Sequence, residues 1–368
     1  MNTTIRLSVV LLLLLSAQAF SLPRFASRTG GKCQSCHVNP SGGGMRQLLG
    51  VQYGRERLPV PEWSKAFELE DFSTLLTNFL GVGADFRTLY YYRQVPTASG
   101  SGDSTNNAFW QMEGNLYLNF KLAKKVNIYL AKGLYYGFEI FGMLNILPAN
   151  GYIKVGKFIP QYGLRLDDHT AFVRTETGFS PERGRPERTG FELGFGPGAF
   201  SVTGGAYNAE DGFGLSGSNK AFLGRAEAVV GVSEDFHLGL GANVYTTKSS
   251  AGERRTMYGG FGHVSYTDLT LLGEVDLLKS TAAGSTTNGL VGYLEAGYVI
   301  FAGFDLKFTY DFYDEDLDVK SGSTARYGFG FEFFPIAGVE VRPMYRILKE
   351  NPSDVPSNEF LFLMHFYL

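Results

Sequence analysis

Cysteine is almost missing. Two residues in 368, Cys33 and Cys36, cannot build a disulfide framework. A single pair spaced by two residues leaves three readings: one disulfide, a redox dithiol, or a covalently held cofactor. Basic charge is also short of what a nucleic-acid face needs, because 33 Lys and Arg are scattered among 36 Asp and Glu. Beyond the first residues no apolar run reaches the length of a transmembrane helix. Proline is sparse, and no nucleophile–base arrangement or catalytic carboxylate pair argues for a hydrolase. What the chain has in abundance is Gly, Phe and Tyr: 47, 31 and 21 residues. In an exported chain without an apolar helix, that composition suits a β-barrel of the bacterial outer membrane.

Export is read from the N-terminus. Arg6 supplies the positive flank, residues 7–15 form a short apolar stretch, and Ala17-Gln18-Ala19 is a small-residue cleavage site. Residues 1–19 are therefore expected to be a signal peptide, with Phe20 the first mature residue. Residues 20–70 form a second region, polar and basic at its start, with Ser41-Gly42-Gly43-Gly44 in its middle and Pro59 and Pro61 near its end. So short a segment cannot bury a sizeable core alone and needs a cofactor or a larger body to lean on.

Residues 71–368 carry the barrel pattern. Tyr117, Asn119 and Lys121 alternate with Leu116, Leu118 and Phe120, and Phe304, Leu306, Phe308 and Tyr310 alternate with Asp305, Lys307 and Thr309. Phe329, Phe331 and Phe333 repeat the stripe around Gly330 and Glu332. Short turns at 196–198, 232–234, 267–268 and 335–338 alternate with long polar loops at 99–107, 209–219, 248–253, 280–287, 314–323 and 349–358. That rhythm fits short periplasmic turns and long outer loops. The expectation is an all-β fold: an antiparallel transmembrane β-barrel of about 16 strands, with 14 the other even count. The ambiguity comes from 124–160, where strand limits depend on turns at Tyr135-Tyr136 and Pro148-Ala149-Asn150-Gly151. A last amphipathic strand runs to Leu368, so both ends of the barrel are expected on the periplasmic side.

The chemistry-bearing run is Cys33-Gln34-Ser35-Cys36-His37. In C-x-x-C-H both thiols add to haem vinyl groups and the following His reaches the iron. Neither a disulfide nor a dithiol accounts for the adjacent His, and zinc would need further ligands. The expected cofactor is one covalently attached haem c, on Cys33 and Cys36, with His37 as an axial ligand. Two residues compete for the second axial position: Met45 on the Gly-rich tether and His365 on the lumen face of the last strand. Another polar constellation lies between Pro160 and Glu187. It contains Arg165, Asp167, Asp168, His169, Arg174, Glu176, Glu182, Arg183 and Arg185 and is expected on the outer side. Asp167, Asp168 and His169 are a candidate polar or metal site there; the alternatives are an ion-paired loop and a constriction folded into the lumen.

The run from Arg24 to His37, followed by a barrel, resembles the fused monohaem c-type cytochrome–porins. Members of that family in iron-oxidising bacteria are implicated in moving electrons across the outer membrane. The resemblance in residue detail covers the N-terminal part and is architectural beyond it; the run Asn39-Pro40-Ser41-Gly42-Gly43-Gly44 departs from the iron-oxidising members. It implies an electron-transfer protein more than an enzyme with bond-making chemistry. Electrons would pass through the one haem between an extracellular donor or acceptor, iron among the candidates, and a periplasmic carrier such as a soluble c-type cytochrome. Outer-membrane lipid would surround the barrel, with the haem segment on the periplasmic side or in the lumen. The alternative is a diffusion porin whose N-terminal haem segment is a plug or redox sensor.

Overall fold

The computed structural model describes residues 24–67, 73–96, 104–134, 137–180, 186–210, 219–353 and 355–368. The signal peptide and Phe20, the boundary expected near residue 70, the Tyr135-Tyr136 turn, and Glu182, Arg183 and Arg185 lie outside the described residues.

Sixteen antiparallel strands close into one barrel, each pairing with its chain neighbours and the first with the last. β1 (Leu80–Val95), β2 (Ser104–Ala123), β3 (Val126–Gly133) and β4 (Phe138–Leu147) begin it. β5 (Gly151–Phe158), β6 (Arg188–Phe195), β7 (Phe200–Asn208) and β8 (Lys220–Ser233) follow. Then come β9 (Phe236–Lys248), β10 (Arg254–Tyr266), β11 (Leu269–Ala282) and β12 (Ser285–Phe301). β13 (Phe304–Asp314), β14 (Thr324–Phe333), β15 (Val339–Glu350) and β16 (Ser357–Tyr367) complete the wall. Closure removes both sheet edges, so no strand is left with unpaired backbone groups at an edge in hydrocarbon.

The period-2 pattern decides which way each side chain points. In β16, Phe360, Phe362, Met364 and Phe366 face outward, while Glu359, Leu361, Leu363 and His365 are buried inside. In β13, Asp305, Lys307, Thr309 and Asp311 face the lumen. Aromatic pairs mark the outer wall near the short turns (Phe301–Phe304, Phe236–Tyr266) and again higher up (Tyr90–Phe109, Tyr310–Tyr327). Such tiers suit the two faces of a membrane.

Several connections differ from the sequence reading. Residues 280–287, read as a long loop, are mostly strand: β11 and β12 meet across Ala283-Gly284 alone, both at positive φ. Positive φ at both central positions is the geometry a two-residue hairpin demands. The 99–107 loop is shorter than expected, because Asn106 and Asn107 already pair with Arg93 and Tyr92. The turn placed at 232–234 falls one residue later, since Ser233 still pairs with Phe236. Residues 349–358 likewise shrink, with β15 reaching Glu350 and β16 starting at Ser357.

The N-terminal segment lies in the short-turn mouth of the barrel. It contains α1 (Arg24–Thr29), α2 (Cys33–Cys36), α3 (Leu48–Glu56) and α4 (Pro61–Ala66). Val60 N donates to Phe334 O at 3.0 Å, Ala337 N to Ser64 Oγ at 3.0 Å, and Lys32 Nζ to Gly196 O at 3.0 Å; all three wall atoms belong to short turns. Pro61 opens α4, where its missing N–H would have no partner in any case. Arg24 is the anchor deepest in charge. Its guanidinium contacts Glu332 directly and lies 3.6 Å from Glu295, while Arg28 Nη1 lies 2.6 Å from Asp305.

Candidate functional site

The site starts with one turn of helix. α2 spans only Cys33–Cys36, closed by His37 N donating to Cys33 O at 2.8 Å. Residues three apart share a helix face, so the turn presents both sulfurs to one side. No disulfide joins them. Burial raises the Cys36 thiol above its ordinary range.

After His37 the chain reverses and returns. His37 and Arg46 form an antiparallel bridge, and Val38 N donates to Met45 O at 3.0 Å. The reversal runs through Gly42, Gly43 and Gly44, all at positive φ. At Gly44 a Cβ would also collide with Tyr129 Oη, so the tether needs glycine there twice over. Gly50 serves a different purpose. Its bare Cα lets α3 lie directly on the Cys36 carbonyl, which a methyl group would strike.

The reversal sets the His37 ring. Nδ1 lies 3.3 Å from Gly44 O, and a carbonyl can only accept, so Nδ1 carries the proton and Nε2 the lone pair. Burial, with the Arg46 guanidinium nearby, holds the imidazole down at about 4. Near neutrality His37 is therefore an uncharged ring with its lone pair on Nε2.

Cys33, Cys36 and His37 all open onto one cavity, with about 1680 Å³ of empty space including its open mouth. Arg46 and Arg165 supply cations to it, Tyr53 and Tyr129 apolar ring surface. On its wall, Arg46 lies 3.4 Å from Asp85 and stacks over Tyr367 at 4.5 Å.

The stretch between β5 and β6 springs from the long-loop end, opposite the short turns at 148–150 and 196–199. Its described part, residues 159–180, folds into the lumen, the constriction arrangement that the sequence holds open as an alternative. Backbone amides are what draw it in: Gly163 N donates to Asn243 Oδ1 at 3.0 Å, Leu164 N to Glu274 at 2.6 Å and Phe172 N to Asp311 at 2.9 Å. A short helix, α5 (Phe172–Thr175), completes it against β11, β12 and β13. Two buried carboxylates and one side-chain amide on the wall thus satisfy loop N–H groups that would otherwise lack partners.

Asp167, Asp168 and His169 diverge rather than converge. Asp167 lies between Arg342 at 2.9 Å, Lys307 at 3.8 Å and Arg24 at 3.8 Å. Asp168 meets Arg346 at 2.5 Å, and His169 Nε2 faces Arg87 at 3.4 Å. Burial opposes ionisation of both carboxyls, but Arg342 for Asp167 and Arg346 for Asp168 outweigh it and hold them well below the carboxylate range. Asp167 instead comes within 4.8 Å of Glu332 and Glu340, a carboxylate group interleaved with Arg24, Lys307 and Arg342. Cations of the chain itself already fill that cluster, so it is an ion-pair network.

The two residues considered for the second axial position lie differently. Met45 is 1% exposed, with its methyl and sulfur packed beside Gly81 of β1. His365 does face the lumen, as its strand pattern required, and lines the cavity. Both ring nitrogens are engaged: Nδ1 lies 2.9 Å from Glu340 and Nε2 3.0 Å from Asp85.

The fold is that of outer-membrane porins. The anion-selective porin from Comamonas acidovorans is similar with a TM-score of 0.60 at 12% identity, over 78% of this chain and 99% of that one. OmpT of Vibrio cholerae gives 0.57 at 10% identity, over 80% and 100%. OprB of Pseudomonas putida gives 0.57 at 11% identity, over 78% and 94%. No protein-family profile and no curated protein matches the sequence.

The donor set in the short-turn mouth is chemically suited to a covalently attached haem. Two thiols on one helix face, a neutral imidazole with a directed lone pair, a large cavity and adjacent guanidinium groups for carboxylates are together what that group requires. Sequence reasoning missed Arg46, Asp85, Tyr129 and Glu340, which line the same cavity. Only Arg46 carried a signal, being close to the motif in sequence.

Proposed function

We propose that the protein is an outer-membrane barrel that holds one c-type haem in the short-turn mouth of its lumen and passes electrons through it. The observation that carries this reading is the common opening of Cys33, Cys36 and His37 onto one cavity inside the barrel. Each thiol would add across a vinyl group, the sulfur bonding one carbon and the proton going to its neighbour. His37 would offer Nε2, oriented by the Gly44 carbonyl. Arg46 and Arg165 would balance negative carboxylates at the cavity. The haem supplies the one-electron chemistry.

The hydrocarbon-facing band of such a barrel is about 25 Å tall. A group at one mouth does not bridge it alone, so an external donor or acceptor, iron among the candidates, or a partner cytochrome must enter the lumen. On the short-turn side, taken as periplasmic, a soluble redox carrier would complete the path.

A diffusion porin is the second reading, favoured by the porin neighbours and by the inward loop. The contact of that loop with the N-terminal segment, Arg165 Nη1 to Ser41 Oγ at 2.9 Å, weighs against a wide path. One experiment decides between them. Protein produced with a c-type haem maturation system should stain for haem after denaturing electrophoresis, and Cys36→Ser should reduce or abolish the stain. A wild-type band without covalent haem overturns the electron-transfer reading, and open conductance in planar bilayers would then carry the porin one.

A further inference from the structure

α4 sits on the rim of the barrel, where the lumen, the short turns and the outer wall meet. We infer that its Trp63–Phe67 face is a membrane anchor, seated on the phospholipid surface around the short-turn mouth. The anchor needs nothing in the cavity.

The inner side of α4 is held by two turns. Val60 N donates to Phe334 O, and the Val60 side chain packs against Gly303. Ser64 is buried, and its Oγ accepts from Ala337 N at 3.0 Å. These contacts tie the helix to the β12–β13 and β14–β15 connections and set its roll.

With that roll, Trp63 is carried past the turn onto the outside of the wall. Its ring meets Phe333 edge-on, with centroids 5.6 Å apart and planes at 86°. Phe333 is an outward residue of β14, next to the lumen residue Glu332. Phe304, Phe331 and Phe301 complete one aromatic group around it. Trp63 therefore continues the surface that the barrel gives to lipid.

The rest of that helix face is still open. Trp63 is 50% exposed, and Phe67, four residues on and so on the same face, is 66% exposed. An indole has an apolar ring and one polar N–H, which together suit the boundary between acyl chains and headgroups. Lys65, two positions from Trp63, faces elsewhere and is exposed. The apolar fringe continues around the rim. Phe79, whose carbonyl accepts from Lys121 N at 2.8 Å, and Leu122 are both exposed beside the ends of β1 and β2.

A soluble partner fits this face poorly, because it is continuous with the hydrocarbon-facing wall and such a partner would have to displace lipid. The consequence concerns the whole N-terminal segment. The chain that carries Cys33, Cys36 and His37 would be fastened to the membrane at its far end, as well as to the lumen through Arg24.

The test uses the full-length protein in phosphatidylcholine vesicles. Trp63 and Trp110 are the two tryptophans of the chain, so Trp110→Phe leaves Trp63 as the reporter. Lipids brominated near the headgroup should remove most of its emission and lipids brominated deep in the chain less, each relative to unbrominated vesicles. Iodide in the water should scarcely quench it. With both native tryptophans replaced by Phe, Phe67→Trp should repeat that pattern, whereas Lys65→Trp should be quenched by iodide and little by bromine. A Trp63 that iodide quenches and brominated lipid does not overturns the anchor and leaves the face to water or a soluble partner. Equal bromine quenching at Lys65→Trp also overturns it, since the wall contacts dictate a one-sided seat. Heat-modifiable migration on gels checks that the barrel is folded in each variant.

Discussion

Arg165 Nη1 donates to Ser41 Oγ at 2.9 Å, tying the inward loop to the N-terminal segment as well as to the barrel wall. The loop and the segment therefore form one interlocked filling of the lumen. A hydrogen bond with a charged donor contributes about 1.5–3 kcal/mol. Arg165→Met should make amides of residues 33–46 exchange roughly tenfold faster or more, read by hydrogen exchange, with barrel amides unaffected. Unchanged exchange there would show that the two parts are held independently.

Arg24 is buried among Glu332, Glu295 and Asp167. Removing one partner of a buried ion pair costs about 3–5 kcal/mol when the remaining charge is stranded. Here Lys307 still reaches Glu295 and Glu332, both at 2.9 Å, so the loss should fall at or below the low end. Arg24→Met should raise protease cleavage in residues 57–67 while the barrel stays folded by its heat-modifiable migration on gels.

The acid response of the loop has a definite sign. Asp167 and Asp168 titrate well below the ordinary carboxylate range in the folded chain, because burial is outweighed by Arg342 and Arg346. A depressed folded pKa contributes stability that is fully present above the unfolded value, about 3.9, and is lost as pH falls below it. Loop amides around 163–174 should keep their protection from pH 7 down to about 4.5 and lose it progressively below about 4. Loss already near pH 6 would contradict this arrangement.

Gly44→Ala tests the tether that orients His37. Positive φ at a non-glycine residue costs on the order of 1–3 kcal/mol, and the new methyl would meet Tyr129 Oη. The Gly44→Ala protein should therefore lose protection at 37–46. Adding Tyr129→Phe removes the collision but also the bond from Met45 N, 3.2 Å long, so only part of the protection should return. Full recovery would place the whole cost in the collision and none in the backbone.

Local features were legible because their causes are local. A strand announces its inward face by alternation, which is why His365 could be placed on the lumen face of the last strand. Cys33, Cys36 and His37 are adjacent, so a single helical turn was enough to gather them. The connection at Ala283-Gly284 was misread because polar strand ends above the membrane look like loop residues. The direction of residues 159–180 stayed open in the sequence, where a constriction folded into the lumen was one reading among several. Those residues turn inward because Glu274, Asp311 and Asn243, on three different strands, accept their amide hydrogens.

The haem-type motif is where the two levels meet. Sequence alone determined that the chain alternates as barrel strands and that two thiols and an imidazole lie within five residues, since both properties depend on spacing along the backbone. Only the tertiary structure decided which charges face which across the lumen. It carried His169 into the cavity, engaged His365 with Asp85 and Glu340, and packed Met45 against β1. The reason is physical: a buried donor or carboxylate is satisfied by whatever barrel closure brings within about 3 Å, and closure joins residues tens to hundreds of positions apart.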